Sequence, residues 1–167
     1  CIRDSYTYVF AGDGCLMEGL SHEACSLAGH LKLNKLIVFF DDNSISIDGP
    51  LSLSRSDNVT QRFKSYNWNI LTIDGHNHDE IDDAIVNAKS SDKPTLICCK
   101  TKIGFGSPNK ESKSSSHGSP LGSEEIELTR KNLDWDHDQF IIPDDLLEKW
   151  RVFAKKNIEI KNNVEKK

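Results

Sequence analysis

Leu36-Ile37-Val38-Phe39-Phe40-Asp41-Asp42-Asn43 opens with five consecutive apolar residues and closes on three oxygen-bearing side chains. An apolar run of that length, without alternation, is the pattern of a strand buried on both faces, as in a parallel sheet covered by helices. Residues 7–11, with Tyr8-Val9-Phe10 at their centre, read the same way, and Gly12-Asp13-Gly14 follows at once. Two hard oxygen donors, Asp13 and Asn43, therefore fall just past the ends of two strands. The glycines beside Asp13 permit close backbone approach. Such an arrangement suits a divalent cation held against a diphosphate.

Helical patterns alternate with these runs. Leu20, Ala24, Leu27, Ala28 and Leu31 recur at helical spacing, with Gly29 near the C-terminal end. Val59, Phe63 and Tyr66 predict a short helix ahead of a strand at residues 69–73. Asn77 and Glu80 form a capping-box pattern leading into Ile81, Ala84, Ile85 and Ala88. Pro94 precedes another all-apolar strand at residues 95–99. The order β-α-β-α-β-α-β predicts an α/β fold, a mostly parallel sheet with right-handed crossovers and helices on both faces. Beyond Lys100 the character changes. Gly104-Phe105-Gly106-Ser107-Pro108-Asn109 is turn chemistry, and residues 110–119 form a polar, Ser-rich loop. Glu124, Glu125 and Glu127 favour a helix start near Ser123. Pro143 opens a last helix carrying Leu146, Leu147, Trp150 and Phe153.

A length of 167 residues gives room for one domain with a substantial core, and the net charge is −5. That acidic balance argues against a nucleic-acid partner, which needs a basic face. No run approaches the roughly 20 apolar residues of a membrane span, and no signal-peptide pattern opens the chain. Five cysteines (Cys1, Cys15, Cys25, Cys98, Cys99) show no ligand spacing. They read as small buried hydrophobes in a reducing cytoplasm rather than a disulfide framework. The Lys- and Asn-rich tail running to Lys166-Lys167 reads as a solvated helix end or disordered tail. The opening Cys1-Ile2-Arg3-Asp4, without Met and just before a core strand, predicts a piece of something longer, its fold incomplete at the N-terminus.

Ligands of an open α/β sheet sit at the carboxyl ends of its strands. Mg²⁺ takes about six oxygens, several of them from phosphate and water. Asp13 would supply the charge, Asn43 a neutral oxygen, and a carbonyl such as that of Ile45 a third ligand. The Gly14 N–H would donate to a phosphate oxygen. Taken alone, Gly-Asp-Gly reads as a tight turn and Asp-Asp-Asn as an Asx turn. The two together, at strand ends, read as a site. His117 in its Ser-rich loop reads on its own as solvated, and Cys98-Cys99 read as packing.

The pair, Gly-Asp-Gly with an Asn about thirty residues on, resembles the thiamine-diphosphate-binding motif. The flanking residues resemble the transketolase family specifically. They are Gly12-Asp13-Gly14-Cys15-Leu16-Met17-Glu18-Gly19-Leu20-Ser21-His22-Glu23, Ser26-Leu27-Ala28-Gly29 and Asp41-Asp42-Asn43-Ser44-Ile45-Ser46-Ile47-Asp48-Gly49. To these are added Ile103-Gly104-Phe105-Gly106-Ser107-Pro108-Asn109-Lys110 and His117-Gly118-Ser119-Pro120-Leu121-Gly122. The resemblance implies that Asp13, Asn43 and the Ile45 carbonyl ligate Mg²⁺ (or Ca²⁺ or Mn²⁺). It implies that Gly12, Gly14 and Asn43 hold the thiamine diphosphate, that His117 reaches over its thiazolium side as a catalytic residue, and that Glu18 lies at a dimer interface. It makes His22 structural. The chain departs from the family at Ser44, where Gly is common, across residues 51–55, and at residues 110–116, which lack a Gly-Thr/Ser-His run.

The implied activity is transfer of a two-carbon ketol unit between ketose and aldose phosphates. Residues 1–135 would form part of a diphosphate-binding domain, and residues 136–167 a helical extension or the start of a linker. The stretch before this region in the family, and the pyrimidine-binding domain with its activating glutamate, are not in these residues. The expectation is a half-site, inactive alone, in a homodimer or in a heteromer with a pyrimidine-domain chain. The alternatives are a truncated remnant, a non-catalytic interaction domain, or a related enzyme such as dihydroxyacetone synthase or deoxyxylulose-phosphate synthase.

Overall fold

The computed structural model describes residues 5–165. The readings of Cys1-Ile2-Arg3-Asp4 and of Lys166-Lys167 lie outside the described residues. The chain runs β1 (Thr7–Gly12), α1 (Asp13–Met17), α2 (Gly19–His30), β2 (Leu36–Asp42), then a small hairpin of β3 (Ile45–Ser46) and β4 (Gly49–Pro50). It continues through α3 (Val59–Ser65), β5 (Asn69–Asp74), α4 (His78–Ser90), β6 (Thr95–Lys100), α5 (Ser123–Asn132) and α6 (Asp144–Glu165).

Four strands form a parallel sheet in the order β1-β2-β6-β5. Its centre is as apolar as the run 36–40 demanded, with Ile37, Leu96 and Ile97 wholly buried. Alternate residues face opposite layers. Val38, Phe40, Leu96 and Cys98 pack with Leu16, Ala28, Val59, Phe63 and Trp68, under α1, α2 and α3. Ile37, Phe39, Ile73, Ile97 and Cys99 pack with Ala84 and Ala88 of α4. The layering follows from chain direction. The chain steps one way across the sheet from β1 through β2 to β5, then turns back to β6. Right-handed crossovers place the returning α4 on the opposite face.

The strands end together. Gly12 stands beside Asp41, and Asp42 and Asp74 beside Lys100, so the carboxyl edge of the sheet is a row of polar groups.

Several elements differ from expectation. The bland reading of Gly-Asp-Gly as a tight turn does not hold, because Gly12 is extended (φ −90°, ψ −179°) and Asp13 starts α1. Leu20 and Leu27 on α2 and Leu31 at its C-cap are exposed, while Ala28 and Gly29 face the core. Small residues let this helix sit close: a Cβ on Gly29 would meet the Tyr66 carbonyl oxygen at 1.8 Å. Asn77 caps α4 through the Asp79 and Glu80 N–H groups. The Glu80 carboxylate answers to the Asn77 side-chain amide and the Asp74 N–H rather than to the Asn77 backbone. The hairpin of β3 and β4 carries no periodicity signal because its strands are two residues long. β1 is an edge strand among the described residues, with Phe10 83% exposed.

Candidate functional site

At the carboxyl edge of the sheet lies a cleft of about 720 Å³. Its walls include Gly12, Asp13, Gly14, Asn43, Ile45 and His117. The structure therefore gathers six sequence-predicted residues from β1–α1, the β2–β3 link and the distant Ser-rich loop. Glu18 is not among them. It is exposed at the junction of α1 and α2, where its carbonyl accepts from the Ser21 and His22 N–H groups.

Asp13 is 5% exposed, and neither carboxylate oxygen has a hydrogen-bond partner. An uncompensated buried carboxylate costs several kcal/mol. The nearest cation is Arg55, whose Nη1 lies 3.0 Å from Asp13 Oδ1. This contact satisfies the distance of an ion pair but not the angle of a hydrogen bond, and Nη1 is itself without a hydrogen-bonded partner. Burial pushes the Asp13 carboxyl above its ordinary range. The Arg55 charge opposes that rise, and Asp42 and Asp41 add to it. Such a group calls for a cation.

Asn43 is oriented by its neighbours. Its amide nitrogen donates to Asp41 Oδ2 at 3.2 Å, and its oxygen accepts from the Ile45 N–H at 2.9 Å. That oxygen keeps one lone pair. Asp41 is held in turn by the Thr101 hydroxyl. Ile45 stands opposite Pro50 in the hairpin as a pair with no hydrogen bond between them, because the Leu51 N–H donates to the Ser44 carbonyl at 2.9 Å, and the Ile45 carbonyl is therefore directed away from β4. Space above Gly12 and Gly14 is open, since a Cβ on either would meet nothing within 4 Å. Gly14 lies in the first turn of α1, where backbone N–H groups have no intrahelical acceptor. One carboxylate, one amide oxygen, one carbonyl and free N–H groups suit a hard cation that also carries phosphate. Among the described residues no group of three or more His, Cys, Asp or Glu side chains is arranged to hold a metal unaided.

His117 sits exposed at the end of a single 3₁₀ turn (Ser114–Ser116), its N–H donating to the Ser114 carbonyl. The floor of its loop is tied to α5. Glu125 of α5, 8% exposed, accepts from the Ser107 hydroxyl and from the backbone and side-chain N–H groups of Asn109. These donors hold its carboxyl down at about 2, the Ser107 hydroxyl contributing most. Lys102 pairs with Glu111 at 2.8 Å across the same loop. His76 stacks on Phe105 with ring centres 3.9 Å apart, and its Nε2 accepts from the Lys102 N–H.

His22 is structural in its contacts. Its Nε2 meets the Arg62 guanidinium at 2.9 Å and its Nδ1 the Tyr66 hydroxyl at 3.1 Å. Because guanidinium only donates, Nε2 must accept and Nδ1 carries the proton. Cys98 and Cys99 are buried, and burial pushes both thiols up to about 11. Cys15, expected as a buried hydrophobe, is exposed and lines the cleft, because it belongs to α1 rather than to an apolar run.

The model of the family "Transketolase, thiamine diphosphate binding domain" matches residues 1–167. The chain belongs to this family. It is 56% identical over 164 residues to the transketolase of Buchnera aphidicola subsp. Schizaphis graminum, covering 97% of this chain and 24% of that protein. It is 57% identical over 150 residues to transketolase 2 of Vibrio vulnificus, covering 89% of this chain and 23% of the relative. A Pichia stipitis transketolase solved with xylulose 5-phosphate superposes with a TM-score of 0.90 at 41% identity, over 96% of this chain and 24% of that one. The Leishmania mexicana transketolase gives 0.91 at 38%, over 98% and 25%. The chain thus spans about a quarter of the length of these relatives.

Two residues of the site escaped the sequence reading. Arg55 lay in a segment noted only as departing from the family, and a lone arginine after a turn carries no motif. In the sequence Glu125 has only the signature of a helix-dipole partner, in the first turn of α5. Its spacing from Ser107 and Asn109 had no pattern to reveal the clamp.

Proposed function

We propose that this chain forms the cation-and-diphosphate half of a transketolase active site. The observation that carries the reading is the buried Asp13 carboxylate, orphaned of hydrogen bonds, in one cleft with Asn43, Ile45 and His117. Asp13, the Asn43 oxygen and the Ile45 carbonyl would hold Mg²⁺ or a similar divalent cation. The Gly14 N–H would meet the diphosphate of thiamine diphosphate. That cofactor supplies stabilisation of the negative charge left on carbon when a ketose is cleaved. The protein's share is to fix the diphosphate end, to exclude water and to present His117 to the oxygens of the sugar. The substrates are sugar phosphates, of the kind bound by the Pichia stipitis relatives solved with xylulose 5-phosphate and sedoheptulose 7-phosphate.

The assembly would be a dimer, or a complex with a chain that carries the pyrimidine-binding half. Exposed Leu20 and Leu27, one above the other on α2, supply an apolar face for it. Among the described residues no helix is long and apolar enough to cross a membrane, and the four described cysteines are free, which suits the cytoplasm.

The test is reconstitution. The chain is mixed with a pyrimidine-domain chain, thiamine diphosphate and Mg²⁺, and ketol transfer from xylulose 5-phosphate is followed. Activity that falls about a hundredfold in His117→Ala supports the reading. A reconstituted activity untouched by that change contradicts the role of His117. A second reading, a fold kept without catalysis, draws on the Asp13–Arg55 ion pair, and inactivity with every partner would favour it.

A further inference from the structure

Resting on the metal-site reading above, we propose that Arg55 is a built-in cation that occupies the Asp13 carboxylate in the metal-free chain and is displaced when a divalent metal binds. Three observations carry this. Arg55 is the basic group at 3.0 Å from an otherwise orphaned carboxylate, with both side chains largely buried, 13% and 4% exposed. Without a metal, this guanidinium would keep Asp13 from standing as a bare buried charge, which would be costly. Second, the contact lacks hydrogen-bond alignment. It falls short of the two-pronged pairing that makes arginine–carboxylate bonds strong. A doubly charged ion that takes the carboxylate oxygens directly gains more than this guanidinium loses.

Third, the displaced group has a destination. Arg55 Nε already lies 3.6 Å from Asp57 Oδ1, and its guanidinium carbon lies 6.0 Å from the centre of the Phe40 ring. Asp57 is 43% exposed and reaches Arg62 as well, at 3.3 Å. A small shift of Arg55 toward Asp57 would open Asp13 without stranding either charge. The consequence is competition: metal affinity is set by how firmly Arg55 holds Asp13, and Asp57 tunes that grip from outside the cleft.

The experiment is titration of the 167-residue chain with Mn²⁺ alone, free metal being read by electron paramagnetic resonance and folding checked by near-ultraviolet circular dichroism. Arg55→Gln and Arg55→Met, which remove the charge, are expected to bind Mn²⁺ about tenfold more tightly than the parent, the span of an ordinary coupling between sites. Arg55→Lys, which keeps the charge, is expected to stay near the parent. Asp57→Asn, on the exposed side, is expected to weaken binding, because Arg55 is then left to Asp13. Unchanged or weaker binding in both neutral variants overturns the proposal, as does an absence of Mn²⁺ binding in parent and variants alike. Weaker binding of thiamine diphosphate in Arg55→Gln with Mn²⁺ binding unaltered also overturns it, by making Arg55 a diphosphate contact. Asp13→Asn separates the two levels. If it binds Mn²⁺ like the parent, the metal-site reading itself has failed. If it loses binding while the neutral Arg55 variants change nothing, only the displacement idea has.

Discussion

At the scale of single residues, the site is built from groups whose needs the chain itself leaves unmet. Asp13 is buried without a hydrogen bond, Asn43 keeps a lone pair, and the Ile45 carbonyl is directed away from its partner strand. Between them stands Ser44, held at φ +61°. A side chain in this left-handed region costs roughly 1–2 kcal/mol, which glycine avoids. The departure at this position noted from sequence therefore has a physical cost, one the residue type alone did not disclose. Ser44→Gly is expected to stabilise the chain by about 0.5–1 kcal/mol after the added chain entropy of glycine is subtracted. Urea denaturation measures it. A loss of stability would mean that Ser44 makes a compensating contact.

Among the elements, α5 acts as a clamp on the loop below His117 through Glu125. Its carboxyl titrates near 2 in the folded chain against an ordinary 4.5. The folded state thus binds its proton less readily than the unfolded state. The stabilisation is complete above about pH 4.5 and is lost as the pH falls toward 2. Glu125→Gln should flatten this part of the stability–pH curve and leave the neutral-side shape alone. An acid limb as steep as the parent's would show that another carboxylate governs it. β1 presents the opposite case, an element with too little cover. Phe10 is 83% exposed, its ring stacked on Phe39 with centres 5.2 Å apart, on the strand that forms the sheet edge among the described residues. Open apolar edges pair with other chains. Phe10→Lys should reduce light scattering on concentration, at a cost of about 1 kcal/mol in lost ring contact. Undiminished scattering would place the sticky surface elsewhere, with exposed Trp150 and Phe153 of α6 the next candidates.

For the whole molecule, the sheet was readable because its central strands are continuous apolar runs that alternate with helical patterns, and runs such as residues 36–40 then suit a parallel sheet covered on both faces. α4 was readable through its cap and its alanines. What stayed hidden depends on tertiary placement. Leu20 and Leu27 carry a helical period but face outward, because Ala28 and Gly29 take the close approach to Tyr66. The short β3–β4 hairpin is too brief for any period to register. Asp13 and Asn43 were legible through local patterns and His117 only through its family resemblance, and the cleft joins them across about a hundred residues of sequence. Arg55 reaches Asp13 only through the fold. The central claim is that Asp13 anchors a cation on which diphosphate binding depends. Calorimetric titration with thiamine diphosphate tests it most directly, with and without Mg²⁺, on the parent and Asp13→Ala assembled with a pyrimidine-domain partner. The account predicts Mg²⁺-dependent binding by the parent, weakened about a hundredfold or more in Asp13→Ala, the loss expected when one partner of a buried charge pair is removed. Equal binding by the two, or binding indifferent to Mg²⁺, would contradict it.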